Sequence, residues 1–269
     1  MSSTTTPRNP EAPADVRSVV REKYGAIAQG RDSGCCSGSC CQDDDAVLDQ
    51  VGYTPEQIAA IPEGANLGLG CGNPLAWAEV KPGETVLDLG SGAGIDCFLA
   101  AREVGATGRV LGVDMTPAMV ERARANAASA GVTNVEFRLG EIEHLPVADG
   151  SVDVVISNCV INLSPDKPRV FAEAKRALKH GGRLLVSDLV LTHTLAPELQ
   201  HDLDLYVGCV AGASVREEYL RLMHEAGFVD IEVVHETGYD VGVDQLEAGS
   251  PGRRAFEAVR SVKVRARKP

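Results

Sequence analysis

The chain has 269 residues and a formal net charge of −12, and 44% of its residues are hydrophobic but only 4% aromatic. This length accommodates one large α/β domain with a smaller appendage, and the hydrophobic fraction excludes wholesale disorder. An acidic chain with few aromatic side chains is a poor match for nucleic acid or an anionic membrane surface, so we expect neither as a partner.

The eight cysteines are interpreted through the compartment in which the chain works. The N-terminus has no apolar stretch behind a basic start, and no segment approaches the length of a membrane span, so we expect a cytoplasmic protein. In a reducing compartment the cysteines are expected to be ligands, redox centres or small core residues rather than a disulfide framework.

The segment before residue 63 is predicted to hold two helices and a cysteine-rich loop, after a disordered start of about a dozen residues. Apolar residues have helical spacing from Val16 to Ala28 and from Asp45 to Ala60, with Thr54-Pro55 as a typical helix start. Between them lies the polar sequence RDSGCCSGSCCQDDD, which carries Cys35, Cys36, Cys40 and Cys41.

From about residue 85 the chain alternates between apolar strands and helices. Strands are predicted at TVLDL, RVLGVDM, NVEFRLGE, VDVVISN, RLLVSDLV and FVDIEVVHE. The helix after the second strand is one that Thr116 could cap, the helix after the fourth strand stops at Gly181, and Pro197 to Gly208 is also helical. This order predicts a doubly wound, mostly parallel α/β sheet with its ligands beyond the carboxyl ends of the strands. The basic residues Arg260 to Lys268 are interpreted as a solubilising tail or an edge strand.

Glycines and acids follow the first three strands. The first strand runs into Asp88-Leu89-Gly90-Ser91-Gly92-Ala93-Gly94, where glycines let the backbone turn tightly and approach a ligand. The spacing differs from the dinucleotide fingerprint, and Asp88 suits a cationic amino group better than a phosphate. Asp114 ends the second strand, where an acid that binds ribose hydroxyls belongs, and Glu141-Ile142 follows the third.

The run DLGSGAG, GVDM, LGEIEHLP and VSD resembles the class I S-adenosylmethionine-dependent methyltransferases over roughly residues 73–236. The resemblance implies that S-adenosylmethionine is the cofactor. It also implies a role for each matching position. Gly90, Ser91, Gly92 and Gly94 line the amino-acid end of the cofactor, Asp88 lies near its ammonium, Asp114 binds the ribose, Met115 lies beside the adenine, and Glu141 and Ile142 border the adenine edge.

Three further cysteines lie where chemistry could occur. Cys159 follows the fourth strand, Cys71 lies in a glycine-rich loop, and Cys209 lies on or just beyond an amphipathic helix. Thiols that converge from separate loops would form a soft trigonal pocket, although buried cysteine often only fills core space. The core role is expected for Cys97 and stays open for Cys209. Zinc is a weaker expectation, because the CCSGSCC loop has no second pair of cysteines or histidines to complete a site.

The CCSGSCC loop, PEGANLGLGCGNPLA, LDLGSGAGIDCFLAA, SNCVINLSPDK and LYVGCVAGA together resemble the bacterial arsenite methyltransferases. That resemblance implies arsenite or methylarsenite as substrate, held by the thiolates of Cys71, Cys159 and Cys209. It also implies a thiol reductant of the thioredoxin or glutathione type and one N-terminal cysteine in disulfide exchange. The exchanging residue stays open among Cys35, Cys36, Cys40 and Cys41.

Attack by the arsenic lone pair on a sulfonium methyl needs no general base, so we expect no catalytic role for His144, His193 or His201.

We expect three segments: an N-terminal segment over residues 1–62, the cofactor-binding core over 63–196, and a small C-terminal extension over 197–269 that completes the sheet and the arsenic site. Two alternatives remain. One is a methyltransferase of a small quinone-like substrate, and the other is a non-catalytic metalloid- or zinc-binding protein.

Overall fold

The computed structural model describes residues 16–31, 44–239 and 250–269. The predicted disordered start and the loop with Cys35, Cys36, Cys40 and Cys41 lie outside these described residues. Among the described residues, no helix is both long and apolar enough to cross a bilayer. The helices are α1 Val16–Ala28, α2 Asp44–Gln50, α3 Pro55–Ile58, α4 Leu75–Ala78, α5 Ile95–Val104, α6 Pro117–Ser129, α7 Lys167–Ala177, α8 Pro197–Gln200, α9 Leu203–Val207, α10 Arg216–Glu225 and α11 Pro251–Glu257. The strands are β1 Thr85–Leu89, β2 Arg109–Asp114, β3 Val135–Leu139, β4 Val152–Asn158, β5 Leu178–Leu191, β6 Val229–Gly238 and β7 Val259–Arg267.

The strands form one sheet in the order β3-β2-β1-β4-β5-β7-β6. The neighbours among β1 to β5 pair in parallel, whereas β7 pairs antiparallel with both β5 and β6. The central strands are almost wholly buried, as expected when helices cover both faces of a parallel sheet. The predicted doubly wound, mostly parallel α/β sheet is therefore confirmed.

Alternate residues of β1 divide the core into two layers. Leu87 belongs to the layer that contains Phe171 of α7, and Val86 belongs to the layer that contains Phe98 of α5. Successive side chains of a strand point to opposite faces of its sheet, so one short strand supports both layers. The carboxyl ends of β1, β2 and β4 are thereby held at one edge of a rigid sheet.

Two predicted helices are interrupted. The segment Asp45–Ala60 forms α2 and α3, because the chain turns at Gly52 with φ +100° and Thr54 then begins α3 with a capping box. The segment Pro197–Gly208 forms α8 and α9, because the carboxylate of Asp202 accepts a hydrogen bond from the Leu205 N–H at 2.9 Å and begins a new helix.

Two predicted helix ends are also corrected. Helix α7 stops at Ala177 rather than at Gly181, since Leu178 is already extended and begins β5. Thr116 precedes α6 but its side chain makes no capping hydrogen bond. Instead, the carboxylate of Asp114 accepts a hydrogen bond from the Thr116 N–H at 2.8 Å.

The basic C-terminal segment is neither a tail nor an edge strand. It forms β7, which lies between β5 and β6 and buries Val262, Val264 and Ala266 in the core. Its basic residues alternate with these apolar ones and project to the other face, where Arg265 pairs with Glu232 at 2.9 Å. The interpretation as a tail or edge was wrong because it weighed the charges and overlooked the period-two apolar pattern between them.

Candidate active site

A cleft lies beyond the carboxyl ends of β1, β2 and β4, the place expected for a ligand of a doubly wound sheet. Its empty volume is about 1190 Å³, part of which is open to solvent. The turn after β1 lines one side, and the segment with Cys159 and Cys209 lines another. Arg17, Val20 and Tyr24 show that α1 also contributes to the lining.

The turn after β1 brings bare backbone to the cleft. Gly90 has φ +69°, and a Cβ there would lie 2.3 Å from the side chain of Val160. Gly92 has φ +52° and donates its N–H to the carboxylate of Asp114 at 2.9 Å. The buried hydroxyl of Ser91 has no hydrogen-bond partner among the described residues. A polar ligand in the cleft would satisfy that hydroxyl.

The buried carboxylates of Asp88 and Asp96 and the half-buried carboxylate of Asp114 surround this turn, and Asp88 and Asp114 were predicted. Burial raises the pKa of Asp88 well above its usual range and also raises that of Asp114. Burial raises the pKa of Asp96 to about 6, although Asp96 accepts hydrogen bonds from Tyr53 at 2.8 Å and Asn158 at 3.1 Å. A cationic ligand would favour the ionised carboxylates. These three carboxylates fit S-adenosylmethionine, which carries a positive charge on its ammonium group and another on its sulfonium group.

The adenine side of the predicted set is only partly in the cleft. Met115 and Ile142 line it, whereas Glu141 does not and instead pairs with Arg21 at 3.5 Å. The buried Glu143 lines the cleft close by and accepts hydrogen bonds from Arg17 at 2.9 Å and Ser164 at 2.5 Å.

Gly94 also lies outside the lining of the cleft. It has φ +104° and precedes α5, and a Cβ there would lie 2.6 Å from the ring of Phe98. Gly94 therefore lets the turn pack against the core rather than forming the surface of the cleft.

The structure brings the three predicted thiols together. The sulfur atoms of Cys71 and Cys159 lie within 4.8 Å of each other, and Cys209 donates its S–H to the carbonyl of Cys159 at 2.8 Å. Cys159 and Cys209 line the cleft, while Cys71 is buried next to Cys159. Burial and the neighbouring thiols raise the pKa of Cys159, and burial raises that of Cys71. A ligand that binds thiolates must therefore displace protons here.

Asn158 connects the thiols to the cofactor side of the cleft. Its amide oxygen accepts a hydrogen bond from the Cys71 N–H at 3.1 Å, and its Nδ2 donates to the carbonyl of Gly72 at 2.7 Å. The same Nδ2 lies 3.0 Å from the hydroxyl of Tyr53. One side chain at the end of β4 therefore fixes the backbone that carries Cys71.

A buried carboxylate and two buried lysines adjoin the thiols. An oxygen of Asp188 and the sulfur atoms of Cys71 and Cys159 all lie within 4.8 Å of one another. Lys167 and Lys263 are both buried, and burial lowers the pKa of Lys167 to about 8. Asp188, at the carboxyl half of β5, has a pKa raised to about 7 by burial.

The sequence carried unequal hints of the residues that were missed. Asp188 belongs to the VSD run at the end of a predicted strand, where the rule that identified Asp114 applies equally. No local pattern marks the other missed residues as part of the site. Arg17 and Tyr53 lie more than twenty residues before β1, and Lys263 lies in β7. Cys97 lies fully buried within α5 and donates its S–H to Asp88 at 3.3 Å. The three histidines at 144, 193 and 201 are exposed.

Known proteins are similar to this chain in both sequence and fold. A methyltransferase-domain family model matches residues 80–227. The chain is 48% identical to an arsenite methyltransferase of Halobacterium salinarum, over 96% of this chain and 68% of that protein. It is 42% identical to an arsenite methyltransferase of Aquipseudomonas alcaligenes, over 81% of this chain and 63% of that protein. The chain thus spans about two thirds of the length of these two relatives.

The fold matches a solved structure from the same group of proteins. It superposes with a TM-score of 0.64 on CrArsM, an arsenic(III) S-adenosylmethionine methyltransferase from Chlamydomonas reinhardtii. The two sequences are 34% identical, over 85% of this chain and 74% of that one. The chain therefore belongs to the arsenite methyltransferase family of class I S-adenosylmethionine-dependent methyltransferases.

Proposed function

We propose that the chain transfers methyl groups from S-adenosylmethionine to As(III) held by the thiolates of Cys71, Cys159 and Cys209. The observation that carries the proposal is the convergence of the three cysteines beside the cleft: the sulfur atoms of Cys71 and Cys159 lie within 4.8 Å of each other, and the Cys209 thiol donates to the carbonyl of Cys159 at 2.8 Å. As(III) is a soft centre with three exchangeable ligands, and thiolates are the protein ligands that such centres prefer.

The chain's own residues would act mainly by positioning. S-adenosylmethionine supplies a methyl group on a positively charged sulfur. Three thiolates hold the arsenic with its lone pair free, and Asn158 positions the backbone that carries Cys71. Aligned reactants gain most of their rate from orientation, and no proton leaves the nucleophile. This agrees with the exposed positions of His144, His193 and His201.

We propose that the cofactor is held by the predicted residues at the strand ends. Asp88 would face the ammonium, Ser91 and the bare backbone of Gly90 and Gly92 would face the amino-acid portion, and Asp114 would bind the ribose. Met115 and Ile142 would contact the adenine. Gly94 would shape the turn from behind, and Glu141 would border the adenine edge only from outside the cleft.

A thiol reductant completes the proposed cycle. The lone pair that forms the new As–C bond leaves the arsenic oxidised by two electrons, and two cysteine thiolates return these electrons by forming a disulfide. A reductant of the thioredoxin or glutathione type then converts the disulfide back to two thiols. We propose one of Cys35, Cys36, Cys40 and Cys41 as the relay, and the cytoplasm as the reducing compartment in which the enzyme works.

The test is a methyl-transfer assay on the purified chain with labelled S-adenosylmethionine, arsenite and a small thiol. We expect labelled mono- and dimethylated arsenic, separated by chromatography with arsenic detection. Label found only on an added quinone-like phenol, with arsenite unchanged, would support the organic-substrate alternative. Cofactor binding without transfer to either acceptor would contradict the proposal.

A further inference from the structure

Asp188 places a fourth potential ligand beside the three thiols. Its side chain is fully buried, and one of its oxygens lies within 4.8 Å of the sulfur atoms of both Cys71 and Cys159. The thiol of Cys209 donates to the carbonyl of Cys159 at 2.8 Å, so it lies beside this group. Among the described residues, Cys71, Cys159 and Asp188 form the one group of cysteine, histidine and acidic side chains with the spacing of a metal site, and Cys209 adjoins this group.

Three sulfur ligands and one oxygen ligand suit a different ion from As(III). Trivalent arsenic uses three ligands, and its lone pair occupies the fourth position. Zn²⁺ and Cd²⁺ have no such lone pair and take four ligands in a tetrahedron, with a preference for thiolate sulfur that still admits a carboxylate oxygen. The carboxylate is therefore the group that would bind Zn²⁺ or Cd²⁺ but not As(III).

The surroundings of Asp188 leave it able to bind an ion. Its Oδ1 accepts hydrogen bonds from Asn162 at 2.9 Å and from the Leu189 N–H at 3.0 Å. Its Oδ2 accepts one hydrogen bond, from Tyr219 at 3.0 Å. A carboxylate oxygen has two lone pairs, so Oδ2 keeps one for coordination. Hydrogen bonds that orient a carboxylate in this way are typical of the support around metal ligands.

The buried lysines supply the matching charge. Three thiolates and one carboxylate around a divalent cation leave two negative charges in the protein interior. Lys167 attracts Asp188 and Cys209, and Lys263 attracts Cys71 and Cys159. Both lysines are buried, so their attraction is weakly screened by solvent. The two lysines would therefore offset part of this negative charge when the ion is bound.

We propose that the thiol pocket is also a tetrahedral site for a thiophilic divalent cation, with Cys71, Cys159, Cys209 and Asp188 as its ligands. Binding replaces the protons of the three thiols, which leave to water. The same thiols cannot hold As(III) at that time, so Zn²⁺ or Cd²⁺ competes with arsenic. The competition rests on the proposed function, whereas the coordination does not.

The first test uses Cd²⁺ as the probe and calorimetry as the readout. Cys35, Cys36, Cys40 and Cys41 are replaced by serine in every chain, so that they bind no ion. Asp188→Asn should weaken Cd²⁺ binding by at least about 100-fold, because loss of even a supporting group costs 10- to 100-fold. Arsenite binding should change by less than about 3-fold. Glu173→Gln, at a buried carboxylate remote from the thiols, should bind Cd²⁺ like the parent.

Two results would overturn the proposal: unchanged Cd²⁺ affinity in Asp188→Asn, or an equal loss of Cd²⁺ and arsenite affinity. A second measurement needs no change at Asp188. X-ray absorption of the Zn²⁺-loaded parent should show three sulfur ligands at about 2.3 Å and one oxygen at about 2.0 Å. Four sulfurs, or fewer than three, would contradict the assignment whether or not the chain methylates arsenite.

Discussion

Two of the three proposed arsenic ligands occupy an unusual backbone conformation. Cys159 has φ +58° and Cys209 has φ +63°, in the left-handed region that side chains other than glycine seldom adopt. Such a residue costs about 1–3 kcal/mol and persists where its surroundings hold it. The Cys159 N–H donates to the carbonyl of Ser187 at 2.8 Å, which fixes the turn. The sequence predicted that these thiols converge, but neither the turn conformation nor the fourth neighbour Asp188.

The thiols are predicted to differ in what their loss abolishes. Cys159→Ser and Cys209→Ser should abolish methylation of both arsenite and methylarsenite, because Cys159 and Cys209 are the two thiols that line the cleft and neither variant leaves a pair of thiolates there. Cys71→Ser should lose arsenite but keep methylarsenite, which has only two exchangeable positions. The measurement is product speciation for each variant with both substrates.

Cys97→Ala serves as the matched control for these variants. Its thiol is fully buried outside the thiol pocket, so we expect retained methylation, with a loss of packing and of the hydrogen bond to Asp88. Conversion of arsenite by Cys159→Ser at the parent rate would disprove the thiolate pocket.

Asp188 is also predicted to make the free energy of unfolding depend on pH. Burial raises its pKa in the folded chain to about 7, against about 4 in an unfolded chain. Between these values the folded state binds more protons than the unfolded state, so the free energy of unfolding decreases as pH rises. For one proton the slope is at most about 1.4 kcal/mol per pH unit.

The measurement is urea unfolding of the parent and of Asp188→Asn at several pH values between about 4.5 and 6.5. The variant lacks this proton, so its free energy of unfolding should increase relative to that of the parent as pH rises. All other titrating groups are common to both chains. Parallel curves would show that Asp188 is ionised throughout this range.

At the scale of elements, α1 closes the cleft over both of its halves. Arg17 binds the buried Glu143 on the adenine side, and the hydroxyl of Tyr24 donates to the carbonyl of Val207 at 3.3 Å, near Cys209. The helix itself was predictable, because its apolar residues repeat with helical spacing between Val16 and Ala28. Its position over the cleft was not, since more than 100 residues separate Arg17 from Glu143.

We predict that α1 slows the exchange of S-adenosylmethionine. Arg17→Met keeps the apolar stem of the side chain but leaves the buried Glu143 with Ser164 alone. Loss of a charged hydrogen bond costs roughly 1.5–3 kcal/mol, so the cofactor should dissociate about 10-fold faster. The readout is the release of labelled cofactor into an excess of unlabelled cofactor. Arg102→Met, at an exposed position of α5, is the control. Equal rates for Arg17→Met and the parent would mean that α1 does not restrain the cofactor.

For the whole molecule, the first five strands were predictable because each contains a short apolar run bounded by turn residues, and helices follow most of them. The pairing of β7 was not predictable in the same way. Its partner β5 is remote in sequence, and its partner β6 is joined to it through residues that the structure does not describe. In addition, alternate positions of β7 are basic, which hides the apolar pattern. The division into residues 1–62, 63–196 and 197–269 stays a prediction.

We predict that β7 is required for folding. Val264→Ala should lower the free energy of unfolding by roughly 2 kcal/mol, because the removed methyl groups are buried between strands. Arg265→Ala, on the opposite face of the same strand, should cost less than about 1 kcal/mol, the usual value of an exposed ion pair. A chain that ends at Glu257 should lose cooperative unfolding. If that shortened chain unfolded like the parent, β7 would be dispensable.

The position of β7 between β5 and β6 also has a consequence during translation. The ribosome synthesises β5 and β6 before the strand that joins them, so both must wait with an unpaired edge until residues 259–267 emerge. Lys263 and Ser261 belong to that strand, and the hydroxyl of Ser261 donates to the carbonyl of Cys71 at 2.7 Å. Cys71 is thus held by the last strand of this sheet to leave the exit tunnel, and the proposed arsenic pocket is unfinished in a nascent chain before that strand emerges.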